Sequence, residues 1–364
     1  MGLLRPAVRL PYDILRELFA QCQSEDDYLM NMRNNIRLSL VCRAWRITAY
    51  SSGHLWSDIH LDPFDTDGLR IIDTFLKRSN TRLNLSVDHR FWDRAQNAAL
   101  EFWLEDFPFS RVQRLRINSN PNFKYGRESL WQLEMPSLTQ LVIFVDMAQR
   151  NEEVHGDVLG CFPTLQSLKL YWVNLRFQTL FILPKLTMIK WDAEVDSQHS
   201  LAGLMKRAPN LESFSLGGPS RLDVDSPLAE VAFPPLDSLV QLEFNFPRIS
   251  PSIRSLLQSD VHLSSIQHVL LSWTEPPVAV DSGLFIRYSD VTALNKLTIR
   301  LRGWLNADGI EKSLASFPVL RHLQHIAHLL IEMPDSPEDE DWEYLEQRSA
   351  TSSRVAIMTL SSRS

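Results

Sequence analysis

The residues able to do covalent or metal chemistry are few and scattered. Cys22, Cys42 and Cys161 are the only thiols, and a thiol becomes a useful nucleophile when a base or a cation stabilises its thiolate. None sits in a histidine motif for nucleophilic catalysis, and their wide separation fits neither a metal-ligand set nor a disulfide framework. His322, His325 and His328 recur every third residue, a spacing that a tight or helical turn would gather on one side. The segment Ile326-Ala327-His328-Leu329-Leu330-Ile331 also reads as a strand, however, and no carboxylate motif of a zinc site adjoins it. Gly217-Gly218-Pro219-Ser220 lacks the Gly-Lys-Ser/Thr ending of a phosphate-binding loop and reads as a turn. The expectation is therefore a protein without catalytic residues, bound metal or cofactor. A hydrolase whose cleft is assembled from dispersed residues is the remaining catalytic alternative, and turnover of a defined small substrate by the purified chain would reveal it.

Such a chain must act by holding other molecules, and its composition bounds which. At 364 residues with 44% apolar content it has enough material for a large core. The net charge of −7 argues against a general nucleic-acid binder. No 18-residue apolar run occurs, and the first nine residues, with Arg5, Pro6 and Arg9, do not make a signal-peptide core. Neither membrane spanning nor secretion is expected. Three unpatterned cysteines suit a reducing compartment, cytoplasmic and/or nuclear.

Repetition is the main organising signal downstream. Val112-x-x-Leu115-x-Ile117 is followed by the same register starting at Leu138, Leu165, Leu186, Leu211, Leu239, Ile266, Leu294 and Ile326, with successive starts 21 to 32 residues apart. The last two apolar positions of each unit alternate as in a strand, so neighbouring units can stack into a parallel sheet with one buried face. Prolines in Met135-Pro136, Phe162-Pro163, Leu183-Pro184, Ala208-Pro209 and Phe233-Pro234-Pro235 precede these strands, where they end a preceding element without breaking a ladder. Helices are expected over 156–161, 198–207, 250–259 and 309–316, and upstream over 68–78 and 95–107, with a weaker strand around Leu83 and Leu85. The spacing resembles leucine-rich repeats, whose period is about 20 to 29 residues. A series of Leu-rich strands in an ordinary α/β domain is the alternative.

The N-terminal segment reads differently. Leu10-Pro11-Tyr12-Asp13-Ile14-Leu15-Arg16-Glu17-Leu18-Phe19 places Pro11 in a first helical turn and Ile14, Leu15, Leu18 and Phe19 at helical spacing. A polar connection over 23–35, expected to loop out, precedes a second stripe of Leu38, Val41, Cys42, Trp45 and Ala49, and then Leu55-Trp56. A short helical cap on a larger domain would also account for this pattern. In order, however, Leu-Pro-x-x-Ile-Leu, Leu-Val-Cys-Arg-x-Trp-Arg and Leu-Trp closely resemble an F-box, and the downstream units resemble the irregular leucine-rich repeats of many fungal F-box proteins.

This resemblance implies an α/β chain: a three-helix F-box over 10–61, a transition with a first irregular repeat over 62–109, a leucine-rich-repeat solenoid over 110–333 with a parallel sheet, and an acidic, partly flexible tail over 334–364. It implies a substrate receptor of an SCF-type cullin-RING ubiquitin ligase that docks on a Skp1-like adaptor, meets cullin and RING subunits through the complex, and positions an unknown protein substrate. A Skp1-bound, non-degradative scaffold is the competing function. Leu10, Pro11, Ile14, Leu15, Leu18, Leu40, Val41 and Trp45 are then the expected adaptor contacts. Polar and aromatic neighbours of the repeat anchors, Arg114, Arg116, Gln166, Lys169, Trp172, Lys190, Glu243, Arg300 and Trp304, are the expected substrate contacts.

Overall fold

The computed structural model describes residues 10–24, 27–61, 66–79, 82–88, 107–119, 134–145, 153–192, 198–217, 236–245, 265–273, 296–301, 328–332 and 355–358. These fall into two compact units, 1–150 with 161–165, and 151–160 with 166–364. The expected helices over 95–107, 250–259 and 309–316, and the acidic stretch 338–346, lie outside the described residues.

The first unit begins with three helices, α1 (Tyr12–Gln21), α2 (Tyr28–Val41) and α3 (Arg43–Ser51), and a 3-10 turn, Gly53–Trp56. Pro11 stands just before α1, where its carbonyl accepts from the Leu15 N–H at 3.1 Å and its own missing N–H costs nothing. The Asp27 carboxylate caps α2 by accepting from the Met30 N–H at 2.8 Å. Much of the connection expected to loop out, over 23–35, is thus helical instead. The second stripe is also divided: Cys42 takes an extended conformation (φ −160°, ψ 175°) and separates α2 from α3.

Polar side chains explain why 28–35 joins the helix. Asn31 and Asn35 are both fully buried, and a buried amide must find partners to offset its lost hydration. Asn31 donates to the Ser24 carbonyl and to Asp58, while its own oxygen accepts from the Ser24 N–H at 2.7 Å. Asn35 donates to the Leu55 carbonyl and exchanges hydrogen bonds with Gln23. These contacts fasten α2 to the chain before it and to the 3-10 turn after α3.

The helices run into β1 (Asp58–Leu61) without an intervening loop, and β1 pairs in parallel with β2 (Leu83–Asp88). β2 pairs with β3 (Val112–Ser119), and β3 with β4 (Gln140–Val145), all parallel. Alternation sends every second side chain to the same face. Ile59, Leu85, Leu115 and Leu141 therefore form one row, and Leu61, Val87, Ile117 and Ile143 the next, none more than 3% exposed. Between β1 and β2, α4 (Thr66–Arg78) places Phe75 edge-on against Trp56, with ring centroids 4.8 Å apart. The Arg78 guanidinium lies 3.6 Å from the ring centroid of the exposed Tyr50 and 4.7 Å from that of the buried Trp56, a stack that adds cation–π attraction.

The second unit repeats the strand scheme with β6 (Ser167–Tyr171), β8 (Met188–Asp192), β9 (Ser213–Gly217), β10 (Gln241–Asn245), β11 (His268–Trp273), β12 (Lys296–Leu301) and β13 (His328–Glu332), successively paired and parallel. β14 (Val355–Met358), within the expected C-terminal tail, joins β13 antiparallel. Two short strands without a sequence signal, β5 (Glu153–His155) and β7 (Asn174–Arg176), form a separate parallel pair. The helix α5 (Gln198–Arg207) occupies the range read from the sequence, whereas Gly156–Cys161 is a 3-10 helix.

The proline junctions have a specific geometry. The N–H groups of Leu165, Leu186 and Leu211 donate to the carbonyls of Phe162, Leu183 and Ala208, three residues earlier, closing turns that carry Pro163, Pro184 and Pro209 at the second position. Proline favours that position because its fixed φ matches the turn. Each turn delivers a buried leucine into the core just ahead of its strand. The repeated sequence register therefore corresponds to a repeated backbone path.

Candidate protein-interaction surfaces

The helices carry apolar side chains that their own core does not cover. In α1, Leu15 is 2% exposed and Phe19 is fully buried, but Ile14 and Leu18, one position before each, are 49% and 40% exposed. Leu40 and Val41, at the end of α2, are 65% and 57% exposed. Phe19 meets Trp45 at a centroid distance of 5.2 Å, and Tyr12 and Ser51 hydroxyls lie within hydrogen-bond distance, so α1 and α3 are tied at both ends. His54, in the following 3-10 turn, is held neutral more readily than an ordinary histidine, first by burial and then by the positive charge of Arg16.

The polar face of β6, β8 and β9 has a different character. Lys169 stands opposite Lys190, between the buried pairs Leu168/Ile189 and Leu170/Trp191. Both lysines are half-buried, and the Lys190 ammonium is 5.7 Å from the Tyr171 ring centroid. Ser167, Ser213 and Ser215 surround them on the same face by register. Trp172 follows β6 with φ at +61°, a left-handed conformation that is costly for a bulky residue. Its N–H donates to the Asp192 carbonyl at 2.6 Å, anchoring that backbone to β8.

Elsewhere in this unit a clamp fixes the segment after β7. Burial opposes ionisation of Asp157, but the Thr179 and Gln178 N–H groups outweigh it and hold the carboxyl below the ordinary carboxylate range, with Arg207 assisting. The Arg207 guanidinium lies against Phe177 and Phe181, at 4.3 and 5.0 Å, and donates to the carbonyls of Gly203 and Thr179. Leu180 and Ile182 on this segment are 97% and 64% exposed. Among the described residues, no three His, Cys, Asp or Glu side chains are grouped to hold a metal ion, and no helix is long and apolar enough to cross a membrane.

Against known proteins, a family model described as F-box-like matches residues 7–62. Residues 7–62 form an F-box-like domain. Domains of this kind are non-catalytic and are generally associated with SCF-ligase substrate receptors. No curated protein matches the chain. A crystal structure of a protein from Bacteroides fragilis is similar at 15% identity, with a TM-score of 0.41, covering 67% of this chain and 75% of that one.

Within the F-box-like domain the expected adaptor contacts divide by exposure. Pro11, Ile14, Leu18, Leu40 and Val41 are exposed, Leu10 and Trp45 are half-buried, and Leu15 is a core residue. Sequence reasoning passed over Ile47, which is 55% exposed on α3. The matched range also ends inside the sheet, since it includes all of β1. Asp58 makes the join: one carboxylate oxygen accepts from Asn31 of α2, and the other accepts from Asn84 of β2 at 2.7 Å. The F-box-like domain and the start of the sheet therefore share both a strand and a partly buried polar contact.

The expected substrate contacts are also divided. Lys169 and Lys190 are brought together, with Tyr171, which sequence reasoning did not select. Glu243 is half-buried on β10, two strands from Lys190, whereas Gln166 precedes β6 and uses its carbonyl to accept from the Thr187 and Met188 N–H groups. Arg114 and Arg116 belong to the first unit; Arg114 lies 5.9 Å from the Tyr28 ring centroid, and Arg116 donates to Asn118 at 3.4 Å. Arg300 is opposite Ser272 and Glu332 on β12, and Trp304 lies outside the described residues.

Proposed function

We propose that this chain is the substrate-recognition subunit of an SCF-type cullin-RING ubiquitin ligase. Its F-box-like domain docks on a Skp1-like adaptor through Pro11, Ile14, Leu18, Leu40 and Val41, with Leu10, Leu15 and Trp45 supporting that surface from within. The repeats form a leucine-rich-repeat solenoid whose polar face receives a protein substrate. Cullin and RING subunits join through the adaptor and supply the catalytic machinery. This chain contributes position and effective concentration. The observation that carries the reading is the exposure of two pairs of aliphatic side chains within the F-box-like domain, Ile14 and Leu18 one turn apart on α1 and Leu40 and Val41 adjacent at the end of α2, since grouped exposed apolar side chains mark surfaces that another protein covers. Recognition acts in the cytoplasm and/or nucleus.

Coexpression with a Skp1-like adaptor tests the docking surface. The wild-type chain should copurify with the adaptor, and Ile14→Gln/Leu40→Gln/Val41→Gln should lose it while keeping the wild-type circular dichroism spectrum. Leu15 is left intact because its replacement would damage the core. Equal adaptor recovery by a folded triple variant would reject the assignment. A stable adaptor complex that never recruits cullin would instead favour the scaffold function.

A further inference from the structure

We propose that Lys169 and Lys190 form the centre of a binding site for an acidic polypeptide segment, one carrying several aspartate or glutamate side chains. This deepens the receptor reading above by naming the chemistry of the substrate, and it rests on the polar strand face being the recognition surface.

Two lysines directly opposite on adjacent strands repel each other. The parallel register that pairs Lys169 with Lys190 is fixed by the buried residues on either side, so the charges cannot separate by slipping one residue without turning the core outward. One carboxylate, that of Asp192, stands in the rows directly beside them. Ser215 stands opposite Lys190 on β9, and Ser167, Met188 and Ser213 form the neighbouring row, all uncharged. In the other neighbouring row Tyr171 and Gly217 flank Asp192, while Glu243 is two strands away from Lys190. Two lysines against the single carboxylate of Asp192 leave these adjoining rows positive by one charge, on a chain whose net charge is −7.

An incoming carboxylate would relieve this repulsion, and the surroundings suit a peptide better than a single small anion. Ser213 adds a half-buried hydroxyl in the row beside the two ammonium groups, and Gly217 leaves the position opposite Asp192 without a side chain. Tyr171 and the backbone-anchored Trp172 supply aromatic surface at the end of β6. In an extended peptide, alternate side chains share one face about 6.6 Å apart. Successive acidic residues of one peptide can therefore reach both lysines while its remaining atoms lie over the hydroxyl and aromatic groups. Charge complementarity selects an acidic partner, and the strand face gives it an extended path.

Fluorescence anisotropy with the full chain tests the site, with a fluorescein-labelled (Glu-Gly)6 peptide as probe and (Gln-Gly)6 as its neutral counterpart. The acidic peptide should bind, and the neutral one should not. Lys169→Gln/Lys190→Gln should weaken binding at least tenfold with an unchanged circular dichroism spectrum, whereas Lys185→Gln/Lys206→Gln, which removes two exposed lysines outside this face, should change it less than twofold. Absence of binding by the wild type, equal binding of the neutral peptide, or an equal loss in the two lysine variants would overturn the proposal. Adaptor recovery measured on the same variants separates the two readings. Lysine-dependent peptide binding without an adaptor would leave this site standing and remove the receptor assignment, and the reverse result would remove only the site.

Discussion

The three N-terminal helices and the parallel strands of the second unit are built from similar fractions of apolar residues but dispose of them differently. In β6, Leu168 and Leu170 are fully buried and the residues between and beside them are polar or aromatic. In α1, neighbours in the same helix divide, with Leu15 and Phe19 covered and Ile14 and Leu18 open. A strand has only two sides, so alternation separates core from surface residue by residue. A helix carrying Ile14, Leu15, Leu18 and Phe19 presents an apolar arc wider than one neighbour can cover. The helices therefore leave apolar side chains open, and the strands leave polar ones.

That contrast is broken most severely by putting polar groups into both regions' apolar positions. Leu168→Asp/Leu170→Asp buries two carboxylates without partners, and should cost more than about 4 kcal/mol and unfold the second unit. Leu40→Gln/Val41→Gln should alter stability by less than about 0.5 kcal/mol, because both side chains already face solvent. Guanidinium denaturation compares them directly. Similar losses in the two variants would erase the distinction between a closed core row and an open helical surface.

A smaller effect sharpens the comparison from the polar side. Asn35→Ala removes the group that satisfies the Leu55 carbonyl and Gln23, and should destabilise the first unit by about 1–3 kcal/mol, the cost of stranding buried polar groups. Amide exchange should quicken in α2 and across the 3-10 turn. Unchanged exchange in both would show that the buried amide merely fills space. Because Asp58 joins α2 to β2, deleting residues 1–60 would also strip most of the edge strand from β2. Point variants therefore separate docking from recognition better than truncation does.

The repeats were legible because their physics is local. Leu-x-x-Leu-x-Leu marks both the turn and the strand, and the same offset in consecutive units already aligns Lys169 with Lys190. The strands over 112–119, 140–145 and the later units followed, as did the helix Gln198–Arg207. The helical connection was not legible, since Asn31 and Asn35 look like loop residues until Ser24, Leu55 and Asp58 arrive to satisfy them. β5 and β7 are too short for a periodic signal, and the Asp157 clamp depends on backbone N–H groups about twenty residues away. In α1 the pattern showed which residues are apolar but not which half of the arc a neighbour covers. Exposure alone separated Leu15 from Ile14.

The smallest expected effect concerns protonation on the strand face. His268 of β11 shares a hydrogen bond with the 2% exposed Thr298 at 3.2 Å, and its pKa is lowered first by burial and then by Lys296, with Glu243 acting in the opposite sense. Gln241 on β10 and Lys296 on β12 stand opposite it in register. A histidine with a lowered folded-state pKa binds protons more readily when unfolded, so its stability contribution is complete above the ordinary histidine value of about 6.5. That contribution is lost as the pH falls from there through the folded-state value. His54 acts with the same sign in the first unit, so whole-chain melting cannot assign the effect to one site. The informative quantity is the difference in melting temperature between wild type and His268→Gln at each pH. Relative to the variant, the wild type should weaken between pH 7 and pH 5, whereas a constant difference would mean that the histidine titrates alike in both states and that its place beside Thr298 and Lys296 has no electrostatic consequence.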